Sequence, residues 1–246
     1  MSILEEILAT KRDEVTVLRR PETRALLRSQ ALDAPPVRDF SAALRRADGR
    51  LAVIAECKRR SPSKGELAPD LDPAETARAY AAGGAAAMSV LTDAEYFGGR
   101  IADLQAARDA VDIPILRKDF TIDEVQVYEA RAVGADAILL ILAALPDDAH
   151  LMDLHDLARS LGLGVLVEAH DRDEIARGVG LGVGILGVNA RDLATFGEDL
   201  EAAAASGAGI PAGTVAVAES AIRSVDDAAA MAAVGFDAVL VGEALV

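Results

Sequence analysis

Val133-Gly134-Ala135-Asp136-Ala137 runs directly into the apolar stretch Ile138-Leu139-Leu140-Ile141-Leu142. The pattern returns 101 residues later as Val234-Gly235-Phe236-Asp237-Ala238, which again leads into an apolar stretch, Val239-Leu240-Val241. Four units of about 25 residues fit that interval, half of an eight-unit fold. Outward from these two points, β-rich runs alternate with helical patterns. The runs that predict strands are Leu51–Lys58, Ala86–Leu91, Pro114–Asp119, Ala137–Leu142, Gly164–Glu168, Gly184–Asn189, Thr214–Glu219 and Ala238–Gly242. Most are continuously apolar, as in parallel strands covered on both faces.

Helical patterns fill the intervals at Pro73–Ala82, Ile101–Val111, Ile122–Val133, Asp147–Leu161, Asp171–Val179, Glu198–Ser206 and Ser224–Val234. Asp147, Asp171 and Ser224 stand where caps are needed, and Gly83, Gly134, Gly162, Gly180 and Gly235 where helices should stop. Eight strands alternating with seven helices predict an α/β fold, a (β/α)8 TIM barrel. A doubly wound open sheet would need a glycine-rich turn after its first strand. Here that strand runs into Cys57-Lys58-Arg59-Arg60-Ser61-Pro62, which excludes it. Residues 1–48 form a helical extension before a barrel of residues 49–246. Within the extension, Pro35-Pro36 separate two short helices, near Leu4–Leu18 and Phe40–Ala47, set either under the barrel floor or over its mouth. No helical pattern follows the eighth strand. The eighth helix is thus missing, and the surface of the first and last strands is expected to be partly open.

The 246 residues suffice for one full-sized core. With 40 acidic against 25 basic residues, the net charge of −15 repels phosphate backbones and anionic lipid surfaces. Nucleic acid and membranes are therefore not expected partners. A single cysteine excludes a disulfide framework and fits a reducing cytoplasm. The N-terminal twenty residues read as an amphipathic helix rather than a signal peptide. Ala137–Leu145 is far shorter than the ~20 apolar residues of a spanning helix.

In this fold the chemistry comes from the C-terminal ends of strands. Strand alternation puts Glu56 and Lys58 on one face with Ile54, leaving Cys57 on the helix-facing side as a small core residue. The same parity turns Lys118, Glu168, Asn189 and Glu219 inward. Taken singly, each of these six polar residues reads as a solvated strand end. Together, three carboxylates and two ammonium groups in one narrow mouth must perturb one another's ionisation, as functional clusters do. His150, His155 and His170 lack ligand spacing and read as surface residues, so no metal is expected. Ser220-Ala221-Ile222-Arg223-Ser224 and Val241-Gly242-Glu243 follow strands seven and eight, where barrels commonly bind phosphate through backbone N–H groups. Ser61-Pro62-Ser63-Lys64-Gly65 reads as a mobile loop beside the mouth that can offer a hydroxyl or an ammonium group to an anion.

Ala55-Glu56-Cys57-Lys58-Arg59-Arg60-Ser61-Pro62-Ser63-Lys64-Gly65 resembles the E-x-K-x-x-S-P-S-x-G signature of the indole-3-glycerol-phosphate synthases. Ser89-Val90-Leu91-Thr92-Asp93, Phe97-Gly98-Gly99, and Pro114-Ile115-Leu116-Arg117-Lys118-Asp119-Phe120 resemble that family's next motifs. Val167-Glu168, Gly187-Val188-Asn189-Ala190-Arg191-Asp192-Leu193, Ala218-Glu219-Ser220 and Val239-Leu240-Val241-Gly242-Glu243-Ala244-Leu245 follow in order. The resemblance covers essentially the whole chain. It departs from the family at Ala221, where glycine is usual, at Arg100, where a small serine is usual, and in the missing final helix.

The resemblance implies a cofactor-free carboxy-lyase of tryptophan biosynthesis. Its substrate would be the phosphorylated, anthranilate-derived 1-(2-carboxyphenylamino)-1-deoxyribulose 5-phosphate. Ring closure, decarboxylation and dehydration would yield indole-3-glycerol phosphate. It further implies Lys118 as general acid, Glu168 as general base, Lys58 as the carboxylate-binding lysine and Glu56 as its orienting partner. A lysine suits that acid role when a neighbouring charge lowers its pKa. Asn189, Glu219 and Arg191 would hold the sugar hydroxyls and the lysines. Ser61 and Ser220 would bind substrate, and Ser220, Ala221, Gly242 and Glu243 the phosphate. Phe97 and Phe120 are candidates for the aromatic ring, and equally for the core. A monomer is expected, with a homodimer as the alternative. Two other readings remain: a phosphoribosylanthranilate isomerase-like barrel, which wants a luminal cysteine on strand one, and a non-catalytic phosphate-binding barrel.

Overall fold

A computed structural model describes residues 2–45, 50–62, 64–191, 197 and 199–245. Eight parallel strands close into a barrel in chain order: β1 (Ala52–Cys57), β2 (Ala87–Leu91), β3 (Ile115–Lys118), β4 (Ala137–Ile141), β5 (Gly164–Ala169), β6 (Ile185–Asn189), β7 (Val215–Glu219) and β8 (Ala238–Val241). β1 closes the ring by pairing with β8 on one side and β2 on the other. The repeated Gly-x-Asp pattern acquires a physical meaning here. Gly134 and Gly235 take left-handed backbone at the ends of their helices, φ 91° and 100°. Two residues on, Asp136 and Asp237 each accept a 2.8 Å hydrogen bond from the backbone N–H of the preceding strand, at Ile115 and Ala216. Each also accepts through its carbonyl from the strand that follows around the ring, Gly164 and Ala52. The two halves are thus stapled at the barrel floor in the same way.

The barrel's helices are α4 (Pro73–Ala82), α5 (Ile101–Ala110), α6 (Glu124–Ala132), α7 (Asp148–Ser160), α8 (Arg172–Gly180), α9 (Leu200–Gly207) and α10 (Val225–Ala233). Asp147, Asp171 and Ser224 are N-caps, as their position predicted. Two of the helix-stop glycines are displaced. Gly83 and Gly180 keep ordinary backbone, and the left-handed turn falls at Gly84 and Gly182 instead. Each helix runs on until the chain must reverse, so the second glycine takes the positive φ.

The N-terminal extension has three helices rather than two: α1 (Ile3–Leu18), α2 (Pro21–Asp33) and α3 (Phe40–Leu44). Pro21 opens α2 at the first helical position, where its missing N–H costs nothing. Both ends of the barrel are used. Phe40 and Leu44 are buried among the lumen-facing residues Ala52, Ala87, Ala137, Val215 and Ala238, which plugs the floor. α1 lies over the mouth, where Ile3, Leu4 and Ile7 wall the cavity. The boundary expected between residues 48 and 49, with Ala47 of the second predicted helix, lies outside the described residues, as do Ser63, Asp192 and Leu193.

Past β8 the described chain makes one 3₁₀ turn, Glu243–Leu245. The outer faces of β1 and β8 are nevertheless largely covered. Cys57, Val239 and Val241 are buried in the helix layer, and only Val53 is half-buried. α4 and α10 pack against these strands, so the expected opening is limited to that one position. Among the described residues no helix is long and apolar enough to cross a membrane.

Candidate active site

The strand parity read from the sequence holds throughout. Ile54, Leu116, Leu166, Val217 and Leu240 fill the lumen beneath the mouth. Above them, β1 delivers Glu56 and, one residue past its end, Lys58; β3, β5, β6 and β7 deliver Lys118, Glu168, Asn189 and Glu219. All six line one cavity with Phe97, Phe120, Arg191, Ser220, Ala221, Gly242 and Glu243. Ser61 does not. It is buried in a short hairpin, Arg60–Ser61 against Gly65–Glu66, and Pro62 lines the cavity in its place.

Lys118 is at the centre. Its Nζ lies 3.5 Å from Glu168 Oε2, 3.8 Å from Glu219 Oε2 and 4.0 Å from Glu56 Oε2. Glu56 turns its other oxygen to Lys58 Nζ at 2.7 Å. Two glycines make room for this packing. A Cβ on Gly187 would stand 2.0 Å from Glu219 Oε1, and one on Gly242 2.8 Å from Glu56 Oε1.

Burial works against every charge here, and the neighbours decide which survive. For Lys118 the carboxylates, Glu168 foremost, outweigh burial and raise the ammonium pKa. This reverses the expectation that a neighbour would lower it, because the closest charges are anions and Lys58 is engaged by Glu56. Burial also disfavours the Glu168 carboxylate, but Lys118 and His170 overcome it and hold that pKa far down. Burial and the neighbouring Glu168 charge push the Glu219 carboxyl pKa well up. Glu56 is held down by Lys58 and Lys118 against the same burial.

The phosphate-side loops are unusual in backbone. Ser220 and Ala221 both take left-handed conformation, φ 64° and 59°. Glu243, expected to bind phosphate, turns its carboxylate to Arg191 at 2.8 Å and to Lys64. Those two hydrogen bonds hold its pKa at about 2 despite partial burial. A carboxylate so placed repels phosphate, so only the backbone there suits an anion. Phe97 and Phe120 lie 6.2 Å apart, tilted by 37°, and wall the cavity while also joining the lumen cluster.

Cys57 is buried in the helix layer with its thiol pushed up to about 12 by burial. That removes the luminal cysteine which an isomerase-like barrel would need.

Three features escaped the sequence reading. Lys11 of α1 is buried and reaches Asp93 at 2.7 Å, Glu14 at 2.9 Å and Asp119 at 3.0 Å. It pins α1 to the loops after β2 and β3. His150 is half-buried against the Ile122 carbonyl oxygen at 2.9 Å. His170 is not a surface residue either, for it sits behind Glu168 with Nε2 3.1 Å from Oε1. Its spacing of two from Glu168 on one strand was the available signal. No group of residues able to hold a metal occurs among the described residues.

The family model of indole-3-glycerol phosphate synthase matches residues 4–246. Proteins of that name from Arthrobacter sp. and Micrococcus luteus are 51% and 52% identical to this chain over 249 residues. The alignments span 100% of it and 91% and 92% of those proteins. Among solved structures, the N-acetylmannosamine-6-phosphate 2-epimerase from Clostridium perfringens shares the fold. Its TM-score is 0.64 at 15% identity, over 85% of this chain and 91% of that one. With the family's polar motifs converging on one barrel mouth and half of its residues shared with those relatives, the chain belongs to the indole-3-glycerol phosphate synthase family.

Proposed function

We propose that the ring closure, decarboxylation and dehydration carried out by this enzyme use Lys118 as general acid and Glu168 as general base. Family membership makes the chain a carboxy-lyase of tryptophan biosynthesis acting on a phosphorylated, anthranilate-derived substrate. The observation that carries the assignment is the Lys118 ammonium set among three buried carboxylates at the cavity's centre. A lysine held protonated this firmly gives up its proton only to a strongly basic oxygen. The alkoxide that develops on the ketone as the aromatic carbon attacks is such an oxygen. After carbon dioxide leaves, Glu168, held ionised, accepts the proton that the methylene carbon loses as the hydroxyl departs in the dehydration step. Lys58, oriented by Glu56, binds the carboxylate that departs as carbon dioxide and supports the charge that develops.

Asn189, Glu219 and Arg191 position the sugar hydroxyls and the lysines. The Asn189 side chain accepts a 3.0 Å hydrogen bond from the Arg191 backbone N–H, which couples the two. The backbone at Ser220, Ala221 and Gly242 takes the phosphate, and Phe97 and Phe120 flank the aromatic ring. Residues 1–48 act as an extension that completes the mouth of the 49–246 barrel. The reading includes a monomer in the cytoplasm. A lone buried thiol supports a reducing compartment. For the monomer, exposed large apolar residues among those described are few: Val17, Leu26, Leu32, Val225, Val234 and Leu245. The test follows indole fluorescence from 1-(2-carboxyphenylamino)-1-deoxyribulose 5-phosphate with the wild type and Glu168→Gln. Turnover by the wild type and its loss in the variant is the expected outcome. Undiminished turnover by Glu168→Gln overturns the base assignment.

A further inference from the structure

His170 carries no role in the chemistry described above, yet it is buried against it. The residue follows β5, two positions beyond Glu168, and its side chain is 9% exposed. Each ring nitrogen faces a carboxylate. Nε2 lies 3.1 Å from Glu168 Oε1, and Nδ1 lies 3.3 Å from Glu174 Oε2 on α8. The backbone N–H of His170 donates to that same Glu174 oxygen at 2.8 Å, which fixes the loop on the first turn of the helix. A neutral imidazole would turn a lone pair toward one of the two carboxylates. Only the doubly protonated ring suits both.

We propose that His170 is a positioning residue for Glu168, an imidazolium that pins Oε1 and leaves Oε2 as the oxygen that exchanges protons with substrate. The inference rests on the reading of Glu168 as the base. Three observations support it. Oε2 is buried, has no hydrogen bond, and lies on the Lys118 side of the carboxyl group. The Nε2 contact to Oε1, at 3.1 Å, is a close ion pair. Finally, Glu168 competes for a proton with Glu219, and both lie within 4 Å of Lys118 Nζ. Lys118 faces both carboxyl groups, whereas His170 faces Glu168 alone. His170 therefore adds to the bias of the pair, favouring charge on Glu168 over charge on Glu219.

The ring's own ionisation agrees. Burial opposes its charge, but Glu168 and Glu174 outweigh burial and raise its pKa to about 10. It stays cationic across the working range. The other charged groups at the adjoining surface are Asp171 and Arg172 at the head of α8 and Asp199 before α9.

The test compares His170→Gln and His170→Ala with the wild type in steady-state assays of indole formation from the lowest pH at which all three stay folded up to pH 9. Glutamine keeps a donor near the Nε2 position without the charge, and alanine removes both. The expected order of kcat is wild type, then Gln, then Ala. The alanine variant should lose ~10-fold or more, which is less than the ~10²–10⁴-fold expected for removing the base itself. KM should change little, because the affected step is chemistry. In both variants Glu168 loses a stabilising cation, so its pKa rises and the acid limb of the kcat profile moves to higher pH. Should His170→Ala fail to fold by circular dichroism, His170→Gln decides the matter. A variant with wild-type kcat, or with lowered kcat on an unmoved acid limb, overturns the inference. Glu168→Gln assayed alongside separates the two claims. If it is inactive while the His170 variants behave as wild type, the base assignment stands and the positioning role falls. If it is active, both fall.

Discussion

Lys118 Nζ lies 3.5 Å from Glu168 Oε2, although β3 and β5 are not neighbours in the barrel. Only closure of the sheet brings them together across the lumen. The proposed acid and base therefore hold each other charged. Lys118→Ala should lower turnover by ~10²–10⁴-fold while a product analogue still binds. Near-normal turnover by the purified variant would remove Lys118 from the acid role.

Cys57→Val should leave turnover within about twofold of the wild type, because a small apolar exchange in a packed helix layer keeps the fold. The native thiol, 3% exposed and with its pKa pushed up to about 12, should resist alkylation until the protein unfolds. Rapid modification of the native protein that substrate prevents would contradict the outward parity of this residue.

Ala221→Gly should tighten binding of the phosphorylated substrate. Alanine at φ 59° sits in the left-handed region, where a Cβ costs ~1–2 kcal/mol. Glycine relieves that strain and removes the one side-chain atom that holds an anion away from the backbone donors. It also loosens the loop when no ligand is bound, which offsets a few tenths to ~1 kcal/mol of the gain. The net expectation is several-fold tighter binding, about 1 kcal/mol, measured by titration at fixed salt. Equal or weaker binding would show that the loop has already accommodated alanine.

Lys11→Met tests the anchor between α1 and the barrel. The substitution keeps the bulk of the side chain but leaves Asp93 and Asp119 without the cation they share. Removing one partner of a buried ion pair costs ~3–5 kcal/mol. Urea denaturation should register a loss of that order, and a loss below ~1 kcal/mol would mean that the carboxylates find other partners.

Gly187→Ala probes the space behind Glu219. The new Cβ would fall 2.0 Å from Oε1 and 3.2 Å from Leu166 Cδ1, so the carboxyl group must give way. The variant should fold and lose at least tenfold in kcat, about 1.4 kcal/mol. Unchanged kinetics with a crystallographically unmoved Glu219 would show that β6 yields instead.

Much of this molecule was legible in one dimension. The order of strands, the parity that turns Glu56, Lys58, Lys118, Glu168, Asn189 and Glu219 inward, and the outward Cys57 all follow from a period of two and from the alternation of strands with capped helices. Those are local rules, set by backbone geometry within a few residues. The positions of α1 over the mouth and α3 under the floor could not be read this way. Nor could the exclusion of Ser61 from the cavity, the diversion of the Glu243 carboxylate to Arg191 and Lys64, or the burial of Lys11. Each is a contact between segments distant in sequence or on different elements, and its energy exists only once the barrel has closed. The ionisation states belong to the same class. Lysine beside carboxylate raises the amine's pKa, and carboxylate beside carboxylate raises one of the pair. Which neighbour each group meets is decided by the few ångströms across the lumen, a distance that only the tertiary fold sets.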